Sequence, residues 1–176
     1  MKIFVSGGSK NGKSTFAEDE AVRLSLESGT KLYYIATMVA SDDEDRERIE
    51  RHRENRKGKG FETLEIPCDI SVDDAEGTYL LDAVTALLSN EMFKDGNIYP
   101  DAYIKVAEDL LKLSESVENI VFVSDYIYSD ARFFDEFTED YRKGLAYIDR
   151  KLAQVCDRVC EVTYGNVIDY KEWKWQ

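Results

Sequence analysis

Residues Gly7 to Ser14 read GGSKNGKS and satisfy the phosphate-loop pattern G-x-x-x-x-G-K-[ST] at every fixed position. The residues before it, Lys2-Ile-Phe-Val-Ser6, form a short apolar run that predicts a buried strand. Those after it, Lys13 to Leu26, set Ala17, Ala21, Val22 and Leu24 toward one side of a helix. Strand, glycine-rich turn, helix is the context in which the pattern has physical meaning. Gly7, Gly8 and Gly12 let the backbone close on an anion, Lys13 reaches the outer phosphates, and the Ser14 hydroxyl can ligate Mg2+. The bland alternative is a glycine turn that binds nothing, and the flanking elements weigh against it.

Working outward, Lys31 to Ala36 predicts a second buried strand, Phe61 to Ile66 a third, and Thr78 to Leu81 a brief inner one ending at Asp82. Ala83–Phe93 and Asp101–Val117 predict helices. Asn119 to Val123 predicts another inner strand, followed by a long helix over Phe134–Val155 and a last strand at Arg158–Thr163. Strands alternating with helices predict an α/β P-loop nucleotide-binding fold, a mostly parallel central sheet flanked by helices in three layers. With 176 residues, two prolines and no linker-like tract, residues 1–176 are expected to form one domain. The terminal Trp173-Lys-Trp-Gln176 is expected to be an edge strand or an interface patch.

A formal net charge of −13 argues against nucleic acid as a partner. A nucleotide needs only a local positive site, which a phosphate loop supplies. No signal peptide or membrane span is recognisable, and a cytoplasmic location is expected. The three cysteines, Cys68, Cys156 and Cys160, lack C-x-x-C spacing. Cys156 and Cys160 are four apart and could share a helix face, but they read as buried reduced thiols.

Metal-bound nucleotide calls for a second carboxylate at the end of an inner strand. Asp82 is the candidate and Asp125 the rival, although an Asp in either place can also cap a helix. The single histidine, His52, lies in RIERHRENR. If residues 42–57 are helical, as the Glu44–Arg48 and Glu47–Arg51 pairs suggest, Arg48, His52 and Arg56 share a face. From Arg51 to Lys59 five basic residues accompany one acid. An imidazole nitrogen is a nucleophile and arginine forks grip phosphate, but a solvated charged helix is the commoner reading of such a run.

Taken in order, GGSKNGKS, YIAT (Tyr34–Thr37), DDE (Asp42–Glu44), RIERHRENR, FETLE (Phe61–Glu65), LLD (Leu80–Asp82) and Asn90 give the chain a family likeness. It resembles the bifunctional adenosylcobinamide kinase/adenosylcobinamide-phosphate guanylyltransferase family of cobalamin biosynthesis. The resemblance implies transfer of the terminal phosphate of ATP or GTP to the hydroxyl of adenosylcobinamide, a corrinoid. It then implies transfer of GMP from GTP to the product through a guanylyl-histidine. His52 would be the nucleophile, and Lys13 with Mg2+ would stabilise charge. Implied nucleotide contacts are Ser6, Gly7, Gly8, Ser9, Lys10, Asn11, Gly12, Lys13, Ser14 and Thr15 in the loop. Ala36, Thr37 and Met38, then Arg53, Glu54, Asn55 and Arg56, then Glu65 and Asp82 complete the set, with Ser14 and Asp82 on the metal. A homo-oligomer, a trimer, is implied as well.

The chain departs from the family pattern in its second half. Where V-[ST]-N-E-V-G is usual it has Val123-Ser-Asp-Tyr-Ile-Tyr128, and F-R-D-x-x-G-x-x-N becomes Tyr141-Arg-Lys-Gly-Leu-Ala-Tyr-Ile-Asp149. Two other readings stay open: a P-loop kinase of another small alcohol, and a nucleotide-binding regulatory relative without turnover.

Overall fold

A computed structural model describes residues 1–129 and 132–171, leaving aside the side chains of Arg48, Asn55 and Ser129. Residues 172–176, and with them the Trp173–Gln176 tail, lie outside the described residues. The fold is built around β1 (Lys2–Gly7), in which Ile3, Phe4 and Val5 are all buried although successive side chains point to opposite faces. Burial on both faces is what a central strand of a parallel sheet requires. Ile3 and Val5 join Ala17, Ala21 and Leu24 of α1 (Lys13–Ser28) in one core. Phe4 joins the opposite core, under the helices that follow.

The remaining elements are β2 (Leu32–Ala36), α2 (Asp43–Arg56), β3 (Glu62–Glu65), β4 (Thr78–Asp82), α3 (Val84–Met92), α4 (Ala102–Ser116), β5 (Asn119–Asp125), α5 (Glu136–Val155), β6 (Arg158–Thr163) and β7 (Asn166–Asp169). The seven strands run in the order β3-β2-β4-β5-β1-β6-β7. All pairings are parallel except β6 with β7. Leu87, Leu88, Leu110, Leu145 and Ile148 of α3, α4 and α5 fill the second core, and each buried side chain of this kind contributes about 1.5–3 kcal/mol. The mostly parallel three-layer expectation is met, with an antiparallel edge strand added.

Two glycines are imposed by the loop. Gly12 precedes α1 at φ 90°, and a Cβ on Gly7 would meet the Val162 carbonyl oxygen at 2.5 Å. The helix α2 forms for a different reason, because it buries almost nothing apolar. The Asp42 side chain accepts from the Asp45 amide at 2.8 Å, three acids occupy its first turn, and Arg53 and Arg56 occupy its last.

Cys156 and Cys160 do not share a helix face: Cys156 caps α5 and Cys160 lies in β6. Both are free and buried, and burial pushes each thiol up to about 12, which keeps them inert.

Candidate active site

Parallel pairing brings the carboxyl ends of the strands to one edge of the sheet, where ligands of open α/β folds bind. Ala36 is in register with Glu65 on one side and Asp82 on the other, and Gly7 is in register with Asp125. Above this row lies a cavity of about 790 Å³. Its wall contains Lys13 and Ser14 from the phosphate loop, Ala36 and Met38 after β2, His52, Arg53 and Arg56 from α2, and Glu65, Asp82 and Asp125 from strand ends. The phosphate loop and the only histidine therefore open on one space.

Each charged group in this wall has an identifiable position. Lys13, 8% exposed, forms an ion pair with Asp125, and its Nζ donates to the Gly8 carbonyl at 3.4 Å. Arg56 is 6% exposed and its guanidinium carbon stands 3.4 Å from the centroid of the Tyr34 ring. Such a stack contributes about 0.5–2 kcal/mol. The Tyr34 hydroxyl donates to Asp82 Oδ2 at 3.2 Å. Burial, and then the Asp82 carboxylate, raise the Tyr34 phenol above its ordinary range. Arg56 Nη1 is buried with no hydrogen-bond partner among the described residues. A buried cationic N–H left without an acceptor is costly, and an anionic or carbonyl oxygen of a ligand would satisfy it. Just beyond α2, Lys59 Nζ meets Glu18 Oε2 of α1 at 2.7 Å, which ties the carboxyl end of α2 to the helix of the phosphate loop.

Not every residue of the expected set faces the cavity. Thr37 is fully buried; its hydroxyl donates to the Ala83 carbonyl at 2.8 Å and accepts from the Ala83 amide at 2.9 Å. Asn90 Nδ2 in turn donates to the Thr37 carbonyl at 2.7 Å. Thr37 of YIAT, Ala83 just after LLD, and Asn90 are thus parts of one brace at the ends of β2 and β4. Glu54 is exposed and ion-paired with Lys57, while Arg53 reaches across to Glu65. The side chain of Asn55, like that of Arg48, lies outside the described residues. Ser6 lines a second cavity instead.

That second cavity, of about 400 Å³, lies on the α5 face of β1 and β6 and is lined by Tyr126, Tyr128, Asp149, Glu161 and Tyr170. Three of the departures from the resembled pattern, Tyr126, Tyr128 and Asp149, meet here; two others, Asp125 and Tyr141, line the main cavity. Tyr128 donates to Asp149 Oδ2 at 3.0 Å. Burial pushes the Asp149 carboxyl up to about 7, opposed in part by the nearby Ser124 and Tyr128 hydroxyls. The sequence did not single out Tyr34 as the platform for Arg56, nor the small α3 residues Thr85, Ala86 and Ser89 that line the main cavity.

Residues 3–170 match the family described as cobinamide kinase / cobinamide phosphate guanyltransferase. The chain belongs to this family. It is 31% identical over 171 residues to the bifunctional adenosylcobalamin biosynthesis protein CobP of Pseudomonas aeruginosa, covering 94% of each chain. It is 33% identical over 104 residues to the bifunctional adenosylcobalamin biosynthesis protein CobU of Salmonella typhimurium, covering 54% of this chain and 52% of that one. Among solved structures, the flagellar accessory protein FlaH of Methanocaldococcus jannaschii aligns with a TM-score of 0.49 at 12% identity, covering 94% of this chain and 74% of that one. The family is one of transferases that use nucleoside triphosphates. Among the described residues, no helix is long and apolar enough to cross a membrane.

The donors in the cavity suit Mg2+. Ser14, Asp82 and Asp125 offer hard oxygens, and among the described residues no cluster of three or more His, Cys, Asp or Glu side chains forms a metal cage. Mg2+ is commonly held in this way, by one or two carboxylates together with substrate phosphates and water.

Proposed function

We propose that this chain phosphorylates adenosylcobinamide with ATP or GTP and then moves GMP from GTP onto the new phosphate through His52. The observation that carries this reading is the single cavity whose wall holds both Lys13 and His52. In the first step the substrate hydroxyl oxygen attacks the γ-phosphorus, the bond to the β-phosphate oxygen breaks, and the nucleoside diphosphate leaves. In the second, a His52 ring nitrogen attacks the α-phosphorus of GTP and pyrophosphate leaves. The substrate phosphate then attacks that phosphorus and frees the histidine. Dividing the transfer in two replaces one difficult displacement by two easier ones.

The residues have separate tasks in this reading. The loop residues 7–13 and the start of α1, with Ser14 and Thr15, cradle the phosphates through backbone N–H groups and the helix amino end. Lys13 stabilises charge on the transferring group. Arg56, held over Tyr34, gives its unpartnered N–H to the nucleotide, and Arg53 extends the basic wall. Ser14 and Asp82 would hold Mg2+, which when bound neutralises phosphate charge. We further propose that the enzyme works in the cytoplasm as a homotrimer on small molecules, without nucleic acid; light scattering checks the oligomer.

Incubation with α-³²P-GTP followed by denaturing electrophoresis tests the central claim. Label is expected on the protein, acid-labile and base-stable, and absent from His52→Ala. Label that persists in His52→Ala sinks the assignment. Phosphorylation of adenosylcobinamide without protein labelling leaves only a kinase, and binding with neither reaction leaves a regulatory relative. The departures at Asp125, Tyr126, Tyr128 and Asp149 are what make these outcomes worth separating.

A further inference from the structure

We infer that Asp125 competes with nucleotide for Lys13, and so makes triphosphate binding depend on a divalent cation more steeply than a phosphate loop by itself requires. The inference rests on the nucleotide-binding reading above.

The Lys13 ammonium already has partners in this structure: the Asp125 carboxylate and, at 3.4 Å, the Gly8 carbonyl. Its side chain is 9% exposed and that of Asp125 is 21% exposed, so water screens their attraction only in part. Asp125 has little freedom to withdraw. It is the last residue of β5, and its backbone is held in register beside Gly7, the first glycine of the loop. A triphosphate seated in the loop therefore brings several negative charges to an ammonium that a carboxylate already occupies. Either Asp125 gives up Lys13, or it stays beside the phosphates and repels them.

A divalent cation removes both penalties, because it neutralises the carboxylate and attracts the phosphates. Asp125 shares the cavity wall with Ser14 and Asp82, so a cation held there is within the reach of its charge. Cation and nucleotide then favour one another by more than phosphate chelation alone provides, and this coupling is reciprocal. Where the resembled pattern has Asn in place of Asp125, the competing charge is absent. Asp125→Asn is consequently a substitution of nearly the same shape that isolates the charge.

The test measures the dissociation constant of a fluorescent N-methylanthraniloyl-GTP, once in EDTA and once in excess MgCl2, for the full chain and its variants. For Asp125→Asn we expect affinity in EDTA to rise about tenfold while affinity with Mg2+ changes little, so the effect of the cation shrinks by about the same factor. Asp125→Ser, which also removes the charge, should move in the same direction. Asp82→Asn should show no comparable gain in EDTA, because Asp82 is not the partner of Lys13. Unchanged or weaker EDTA affinity in Asp125→Asn overturns the inference. An equal EDTA gain in Asp82→Asn also overturns it, by reducing the effect to the removal of any negative charge. Loss of Mg2+-dependent affinity in Asp125→Asn without an EDTA gain would make Asp125 a metal ligand only. If the wild-type chain binds the probe in neither buffer, the nucleotide reading itself fails, and this inference with it.

Discussion

The two cavities, one at the carboxyl ends of β2, β4 and β5 and the other beside β1 and β6, are built of opposite chemistry. The main one is walled by His52 and by the cations Lys13, Arg53 and Arg56, set against strand-end carboxylates. The second is walled by tyrosines and acids, and the Tyr126 and Tyr170 hydroxyls both bond to Glu161. In the first, Arg56 Nη1 is left without a hydrogen-bond partner among the described residues. In the second, the tyrosine hydroxyls are largely engaged with protein carboxyls. Residues of the family motifs concentrate in the first, together with the departures Asp125 and Tyr141, while Tyr126, Tyr128 and Asp149 line the second.

The largest expected effect tests whether the main cavity alone does the chemistry. Lys13→Ala should slow both phosphoryl transfer from γ-³²P-ATP and guanylylation by about 10²–10³-fold or more. Either step surviving within tenfold of wild type would break the assignment of one shared site.

A smaller effect belongs to the second cavity and concerns stability. The Asp149 carboxyl, 3% exposed, is raised to about 7 in the folded chain against its ordinary 3.8. Between those values the folded protein keeps a proton that the unfolded chain has lost. The stability contributed by this group is therefore full at the acid end and declines as pH rises toward 7. Each unit of the difference corresponds to about 1.4 kcal/mol. Chemical denaturation of Asp149→Asn across pH 5–8 should show a flatter profile than wild type; an identical profile would mean the carboxyl is not held up by burial.

The smallest effect is expected from Tyr128→Phe, which removes the hydroxyl donor to Asp149 and should cost about 0.5–1.5 kcal/mol by the same denaturation measurement. Guanylylation should be unaffected. A loss of activity larger than the loss of stability would tie the second cavity to the reaction and erase the contrast between the two.

Legibility in the sequence followed how local each signal is. The β1–loop–α1 unit was readable because its residues are contiguous and each has one task. The helix α2 was readable from charge spacing although it lacks an apolar stripe. The edge strand β7 was missed. Its residues are mostly exposed, and the turn before it sets Tyr164 at φ 50° and Gly165 at φ 75°; Tyr stands at the first turn position where Asn, Asp or Gly is usual, which left Gly165 as half of a hairpin signal. The Lys13–Asp125 pair could not be read as a contact, because only the strand order puts β5 beside β1 across more than a hundred residues of sequence. The same holds for Arg56 over Tyr34, which needs α2 laid across the end of β2. Thr37 was read as a nucleotide contact, whereas its side chain braces Ala83; a hydroxyl at a strand end serves either role, and sequence does not distinguish them.

The close approach of Gly7 to β6 has a consequence for how freely the loop can vary. The obstacle to a side chain at Gly7 is the Val162 backbone, which cannot step aside without disturbing a sheet strand, whereas the obstacle at Gly8 is the Asn11 side-chain amide, which can swing away. In a saturation library over the loop, the first glycine should be intolerant even of alanine for steric reasons unconnected with phosphate, and the second should accept it. The opening glycine of GGSKNGKS thus belongs as much to the sheet as to the ligand.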